Sequence, residues 1–404
     1  MTTIAATDAK NRFGELLEAI HREPVEIAKK GRTVAVVLSI EDYTEMQQKI
    51  SGEFGKTDFS GIEAWVKDHC HVRTGKPGDL AGYLRTWTIL AAASLLIVSL
   101  ATTISAAEQV TSKPASDLVH MFSSFRGNGE DGLHLAYSHD GLKWIALNDD
   151  KSFLKPLIGG KLMRDPCIIQ GQGMFHMVWT TSWRDKGIGV AHSKDLINWT
   201  EQQFVPVMGG EAGAQNCWAP EITWDPDGKQ YVIYWATTIT GRFPESVKGG
   251  NPGSNHRIYC TTTKDFKTYT PTKLFLEPGF NVIDATIVGD GDRYAMILKD
   301  ETRNPPAKNL RVATSDKVTG PWSKPSESFT PKGVWVEGPS VLKLGDAWIV
   351  YYDEYRRHKY GAMKTTDFRQ WEDISDKIEF PKGTRHGTGF AVSKSLLERL
   401  LKTK

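Results

Sequence analysis

Five short phrases set ionisable side chains at intervals of about 50 residues or a little more through the second half of the chain. They are Arg164-Asp165-Pro166, Trp218-Ala219-Pro220-Glu221, Ile283-Asp284-Ala285, Glu337-Gly338-Pro339 and Arg385-His386-Gly387. An Asp and a Glu facing one another can divide proton transfer, one carboxylate taking a proton while a protonated carboxyl gives one. His386 adds a ring that can donate, accept or touch a metal. For any of this chemistry, phrases far apart in sequence must meet in space.

A second repeat, in step with the first, supplies the elements that would bring them together. It reads L-A-Y-S-H-D-G-L-K-W ending at Trp144, V-A-H-S-K-D-L-I-N-W at Trp199, C-T-T-T-K-D-F-K-T-Y at Tyr269, V-A-T-S-D-K-V-T-G-P-W at Trp322 and A-M-K-T-T-D-F-R-Q-W at Trp371. Each copy reads as a strand, a polar turn with Asp or Lys, and an aromatic that opens the next strand. Several strands per period indicate propeller blades, and five copies predict an all-β five-bladed propeller over residues 108–404. The first strand of a blade lines the central channel, so acids recurring at its opening converge into one pocket. The chain beyond His386 is expected to supply the inner strand of the blade begun by Val119 to Trp144, closing the ring and removing its exposed edges.

The ordered series Asp-Pro, Trp-Ala-Pro, Ile-Asp-Ala and Glu-Gly-Pro, one per blade, resembles glycoside hydrolase family 43 over about residues 115–400. The resemblance implies an inverting glycosidase with Asp165 as general base, Glu337 as general acid and Asp284 as the second Asp that sets the acid's pKa and orientation. It implies substrate binding or channel hydrogen bonds for Glu221. It also implies a channel role for His386, which in some members helps hold a central calcium ion or a water; no cofactor is required. Inversion needs the two carboxyls roughly 6.5 to 9.5 Å apart, leaving room for a water. On this reading Glu337 stays protonated through burial and the nearby charge of Asp284.

The residues also carry plainer readings. Asp before Pro often caps a turn. Arg164 holds a carboxylate or the sugar, or forms a salt bridge. His386 reads equally as a hydrogen-bonded core histidine, since one His without a second ligand at short spacing defines no metal site. Trp183, Trp218 and Trp335 are candidates to stack on a sugar, whereas Trp179 and Trp235 fall mid-strand and fit the core. The Gly- and Pro-rich stretch Gly241 to Asn255 reads as a loop that walls the pocket and favours exo-action. Phe125-Arg126-Gly127-Asn128 and Glu130-Asp131-Gly132-Leu133-His134 resemble the members described as arabinosidases. Removal of terminal α-L-arabinofuranosyl units from plant polysaccharides is therefore the expected reaction, with β-D-xylosidase and exo-galactosidase as alternatives. A carbohydrate-binding propeller without turnover would be expected to have lost one of the three acids.

The whole chain has 404 residues, with 50 Lys and Arg against 48 Asp and Glu, too near neutral to mark it as a nucleic-acid binder overall. Its four cysteines are scattered, which argues against a disulfide scaffold or a structural zinc site. The uncharged run Thr86 to Ala107 divides the chain: eleven of the thirteen tryptophans follow it. Residues 86–107 read as a signal peptide or transmembrane helix. Arg73, Lys76 and Arg85 before the run and Glu108 after it set the propeller outside, exported or anchored in the inner membrane. Before the run lie a linker, 55–85, and a small α/β segment, 1–54. In that segment Phe13, Leu16, Leu17 and Ile20 fall at helical spacing behind Thr7 and Asp8. Val25 to Ser39 reads as a hairpin around Gly31-Arg32, and Ser39 with Asp42 as a capping box. Asp8-Ala9-Lys10, Phe13, Leu16-Leu17, Pro24-Val25, Lys30-Gly31-Arg32 and Glu41-Asp42-Tyr43 resemble the Phd/YefM antitoxins. That resemblance implies a dimerising module that contacts DNA or a toxin, with Lys10, Arg12, Lys29, Lys30 and Arg32 available for phosphates. A DNA-binding regulator carrying a passenger domain is thus a third function class.

Overall fold

The computed structural model describes residues 2–5, 25–29, 32–37, 117–249 and 254–403, and divides the chain into two units, residues 1–104 and 105–404. In the first unit Val25–Lys29 and Arg32–Val37 pair antiparallel across Lys30-Gly31, the hairpin expected from the sequence. Thr2–Ala5 pairs parallel with Val25–Lys29 on its other side. Four residues are too few for alternation to announce that strand. The two expected helices of this segment, the linker and the apolar run lie outside the described residues. Among the described residues no helix is long and apolar enough to cross a membrane.

The second unit is a ring of five antiparallel sheets. Blade 2 runs Arg164–Gly171, Met174–Thr180, Ile188–Ser193 and Gln203–Val205 outward from the channel, and blade 3 runs Trp218–Asp225, Gln230–Thr238, His256–Thr263 and Lys273–Leu276. Blade 4 has three strands, Val282–Asp290, Arg293–Asp300 and Asn309–Ser315; blade 5 has Glu337–Leu344, Ala347–Glu354, Lys359–Thr365 and Glu372–Asp373. Blade 1 joins both ends of the propeller: Gly389–Ser393 pairs with Leu118–Ser124, which continues to His134–Ser138 and Ile145–Ala146.

The repeated turn phrase has a direct physical cause. In four copies an Asp side chain accepts two backbone N–H groups just ahead of it: Asp140 from Leu142 and Lys143, Asp195 from Ile197 and Asn198, Asp265 from Lys267 and Thr268, and Asp367 from Arg369 and Gln370. Two residues earlier a hydroxyl, of Ser138, Ser193, Thr263 or Thr365, accepts the N–H of the residue after the Asp. That residue, Gly141, Leu196, Phe266 or Phe368, has a left-handed backbone. Side chains thus replace the ladder bonds that the chain loses as it reverses. In blade 4 the Asp is displaced by one position, Ser315 alone caps the turn at Lys317, and Trp322 opens no fourth strand.

Alternating apolar residues of neighbouring blades interlock into five clusters, one per blade junction. Met121 and Leu135 meet Met177 and Trp179, and at the last junction Phe122 and Trp144 meet Ile349 and Tyr351. Trp179 and Trp235 are fully buried in this core, as their mid-strand positions suggest. Cys167, Cys217 and Cys260 are buried free thiols. The terminal helix Lys394–Leu401, capped by Ser393, drives Leu396, Leu397 and Leu400 into the junction of blades 1 and 2. Leu400 is sealed whereas Leu401 is 52% exposed. Leu400→Ala is therefore expected to cost about 2 to 5 kcal/mol in urea unfolding, and Leu401→Ala less than about 0.5 kcal/mol.

Candidate active site

Four of the inner strands begin with the same irregularity. Register slips between Arg164 and Cys167, Trp218 and Glu221, Ile283 and Thr286, and Glu337 and Ser340. The second residue of each bulge is left-handed: Asp165 (φ 51°), Ala219 (46°), Asp284 (50°) and Gly338 (59°). Such a bulge re-aims a side chain, and a non-glycine residue there stores strain that is concentrated at functional sites. Pro166, Pro220 and Pro339 follow it at no cost to a ladder that is already interrupted. Asp165 and Asp284 thus hold one structural position in different blades. In blade 5 that position is Gly338 and the acid is one residue earlier. A Cβ on Gly338 would stand 2.4 Å from Cγ of His386, so the imidazole occupies the space a side chain would need.

His386 is the hub. Its Nδ1 lies 3.4 Å from Asp165 Oδ1, and the charges of Asp284, Asp165 and Glu221 all act on it. Burial opposes its charge, but the Asp165 hydrogen bond and these three carboxylates outweigh burial and lift its pKa to about 9. Asp165 responds in the opposite sense. Burial would raise it, yet the bond and charge of His386, the charge of Arg164 and the bond from Thr180 Oγ1 (2.8 Å) hold it at about 2. Thr180 in turn accepts the N–H of Ala219 at 2.8 Å, so its hydroxyl proton points at Asp165. Asp284 is raised by burial and by Glu337 and Asp165, against His386 and Lys299, and its Oδ2 accepts the N–H of Gly338 at 3.1 Å. Glu221 is raised to about 7 by burial; its oxygens take the hydroxyls of Thr286 (2.8 Å) and Thr388 (3.4 Å). Glu221 is therefore buried in the channel wall and hydrogen-bonds to its neighbours there.

Glu337 is gripped at both oxygens. Lys299 Nζ lies 3.1 Å from Oε2, and Arg385 Nη2 donates to Oε1 at 2.9 Å. Each cation is shared with a second acid: Lys299 with Glu301 at 2.7 Å, and Arg385 with Asp353 at 2.6 Å. Burial raises Asp353 to about 6, with the charge of Glu337 adding to the shift against Arg385. Lys308 closes the chain on Glu301, and its ammonium lies over Trp335. Besides Asp284, expected from the sequence as the charge beside Glu337, the structure places Lys299, Arg385 and Asp353 around it. Asp284 reaches the acid through the backbone of Gly338.

Aromatic and amide groups form the mouth. The Arg164 guanidinium lies over the rings of Phe125 (4.7 Å) and Trp183 (4.1 Å), with Nη1 donating to Asn128 Oδ1 at 3.1 Å. Trp183 is 47% exposed, and its Nε1 donates to the same Oδ1 at 3.0 Å. Trp218 donates to the Trp183 carbonyl at 3.0 Å and packs on His256. Trp335 lies under Arg356 at 3.6 Å. Within the stretch 241–255, a short 3₁₀ turn at Pro244–Gly249 is tied down by Arg257, which bonds Ser246 Oγ at 2.6 Å, stacks on Phe243 and pairs with Glu277; residues 250–253 lie outside the described residues.

The side chains around His386 do not by themselves make a calcium site. Calcium takes six to eight oxygens, whereas the oxygens here are spent on Thr180, Thr286, Thr388, Gly338 and an imidazolium. Among the described residues no group of three or more His, Cys, Asp or Glu side chains gathers to hold a metal.

The Asp165–His386 pair has a pH signature. A His raised from 6.5 to about 9 contributes its full stability below pH 6.5 and loses it as the pH climbs through about 9. Urea titrations at successive pH values should show wild-type stability falling between those limits more steeply than that of His386→Gln; equal slopes would remove the imidazolium.

Residues 117–398 match the family described as a probable glycosyl hydrolase domain, related to glycoside hydrolase family 43. Residues 1–53 match the Phd_YefM antitoxin of type II toxin–antitoxin systems. An α-L-arabinofuranosidase of Bifidobacterium longum subsp. longum is 26% identical over 212 residues, covering 44% of this chain and 20% of the relative, so the chain spans a fifth of that curated protein. A thermostable family-43 glycoside hydrolase of known structure is 16% identical, with a TM-score of 0.41 over 55% of this chain and 78% of the other. For an α-L-arabinofuranosidase from Lactobacillus brevis the figures are 19%, 0.41, 53% and 72%. The probable glycosyl hydrolase match extends over more than half of the residues and includes all four acid-bearing phrases, and the chain belongs to the family 43-related glycosyl hydrolases.

Proposed function

We propose that this protein is an inverting, exo-acting glycoside hydrolase that removes terminal α-L-arabinofuranosyl units from plant polysaccharides. The observation that carries the reading is the arrangement at the channel: Asp165, held anionic, and Glu337 open two different inner strands around one imidazolium, with Asp284 hydrogen-bonded to the N–H beside Glu337. In the reaction Asp165 takes a proton from water as its oxygen bonds to the anomeric carbon. Glu337 gives its proton to the glycosidic oxygen as the carbon–oxygen bond breaks, and the product inverts. Around the Glu337 carboxyl Lys299 and Arg385 each hold one oxygen, Arg385 is shared with Asp353, and Asp284 accepts the N–H of Gly338 beside it. Depressed by His386 and Thr180, Asp165 stays ready as a base across the neutral range.

Support for arabinose comes from the Phe125 to His134 segment, which shapes the mouth through Asn128, and from the 26% identity to an arabinofuranosidase. In this proposal the apolar run 86–107 exports or anchors the chain with the propeller outside, and residues 1–54 serve as a dimerising contact for DNA or a toxin.

The test is hydrolysis by the full chain of aryl α-L-arabinofuranoside, β-D-xyloside and β-D-galactoside. The arabinofuranoside should be cleaved fastest, and Asp165→Asn and Glu337→Gln should each lower kcat by about 10² to 10⁴. Faster cleavage of another glycoside replaces the sugar. Undiminished turnover in either variant, or sugar binding without any turnover, overturns the catalytic assignment.

A further inference from the structure

Four Arg and Lys side chains are buried among the described residues of the propeller: Arg164, Arg257, Lys299 and Lys308. Three have carboxylate partners. Arg257 pairs with Glu277, Lys299 with Glu301 and Glu337, and Lys308 with Glu301. Arg164, 8% exposed, has none. Its protein hydrogen bonds both leave from Nη1 and both end on Asn128, one on the side-chain oxygen and one on the carbonyl. The guanidinium carbon lies over the rings of Phe125 and Trp183, at 4.7 and 4.1 Å, and these bring no counter-charge. Asp165 and Glu130 feel its field, yet Asp165 spends its oxygens on Thr180 and His386, and Glu130 on Asn128.

Burying a cation without a partner is costly, and the cost persists only where something outside the protein repays it. The donors left over are Nε and Nη2. Neither atom is fully sealed, so each keeps some contact with solvent. That edge of a guanidinium is a planar fork matched to an oxyanion. Its setting is rigid, because Asn128 Oδ1 fastens both Arg164 and Trp183, and it directly precedes Asp165 in the chain.

We propose that Arg164 receives an oxyanion carried by the substrate, so that the enzyme acts on an acidic glycan with a uronate carboxylate or a sulfate ester on or next to the cleaved sugar. This rests on the proposed glycosidase reading and narrows it from neutral arabinosyl side chains to those on acidic chains.

The experiment compares matched oligosaccharides from an acidic polysaccharide in three forms: carboxylates intact, carboxylates reduced to alcohols, and the reduced form bearing a sulfate ester. The full chain, Arg164→Lys and Arg164→Met are assayed on each. Wild type should show a kcat/KM about ten- to a hundredfold higher on an anionic form than on the reduced one, the range a charge-assisted hydrogen bond provides. Arg164→Met should bring the ratio of kcat/KM between the anionic and the reduced forms down to about one, whatever its absolute rate, and Arg164→Lys should keep part of the preference. The carboxylate and sulfate arms identify the source of the oxyanion. Equal kcat/KM on all three forms in wild type, or a preference that survives in Arg164→Met, overturns the proposal; the wild-type comparison stands even if a variant fails to fold. If no form is cleaved, the glycosidase reading fails, and calorimetric binding of the same three forms to wild type decides the oxyanion claim, equal affinities refuting it.

Discussion

Three carboxylates pushed into the channel of a propeller repel one another, and the group that holds them there is a buried imidazolium. His386 stands among Asp165, Asp284 and Glu221, and its charge is sustained against burial by the Asp165 hydrogen bond and by the charges of all three. Remove the ring and Asp165 loses both a hydrogen-bond donor and a positive neighbour. The ring is also a spacer, since it fills the volume over Gly338 and so fixes where the chain carrying Glu337 can run. Three residues after His386 the chain enters Gly389–Ser393, the innermost strand of blade 1. Ring closure and site assembly are therefore one event, and the apolar contacts of the terminal helix support both.

The fold delivers the acids through repetition of a strained backbone. A left-handed residue second in the bulge of the inner strand re-aims Asp165 in blade 2 and Asp284 in blade 4, leaves Ala219 silent in blade 3, and becomes glycine in blade 5, where the imidazole leaves no room. A fivefold scaffold thus yields an asymmetric site, with a strongly anionic Asp on one wall and a cation-gripped Glu on another. The charges alternate outward from Glu337 through Lys299 and Arg385 to Glu301 and Asp353, so no ion near the acid is left alone in a region of poor hydration.

Much of this was legible in the sequence because it repeats. The Ser or Thr, Asp and aromatic positions of the turns are dictated by hydrogen bonds that every blade must make, and the acid phrases recur because each opens an equivalent strand. Lys299, Asp353 and Thr180 escaped that reading for a physical reason. They occupy one position, the second-strand residue paired with the residue that opens the bulge of the inner strand, as Thr180 is with Arg164, Lys299 with Ile283 and Asp353 with Glu337. The position is shared, but the side chain is fitted to whichever acid lies beside it. A hydroxyl, an ammonium and a carboxylate leave no common letter to find. Arg385 was visible as part of a phrase, yet its grip on Glu337 depends on contacts across 48 residues.

The claim at the centre of this account is that Asp165 and Glu337 work as a base and an acid from opposite sides of one sugar. The anomeric configuration of the first-formed product tests it most directly, followed by proton NMR before mutarotation. An α-linked substrate should release the β sugar first. Release of the α sugar would mean a covalent intermediate and a carboxylate acting as nucleophile, contradicting the roles assigned to the two acids.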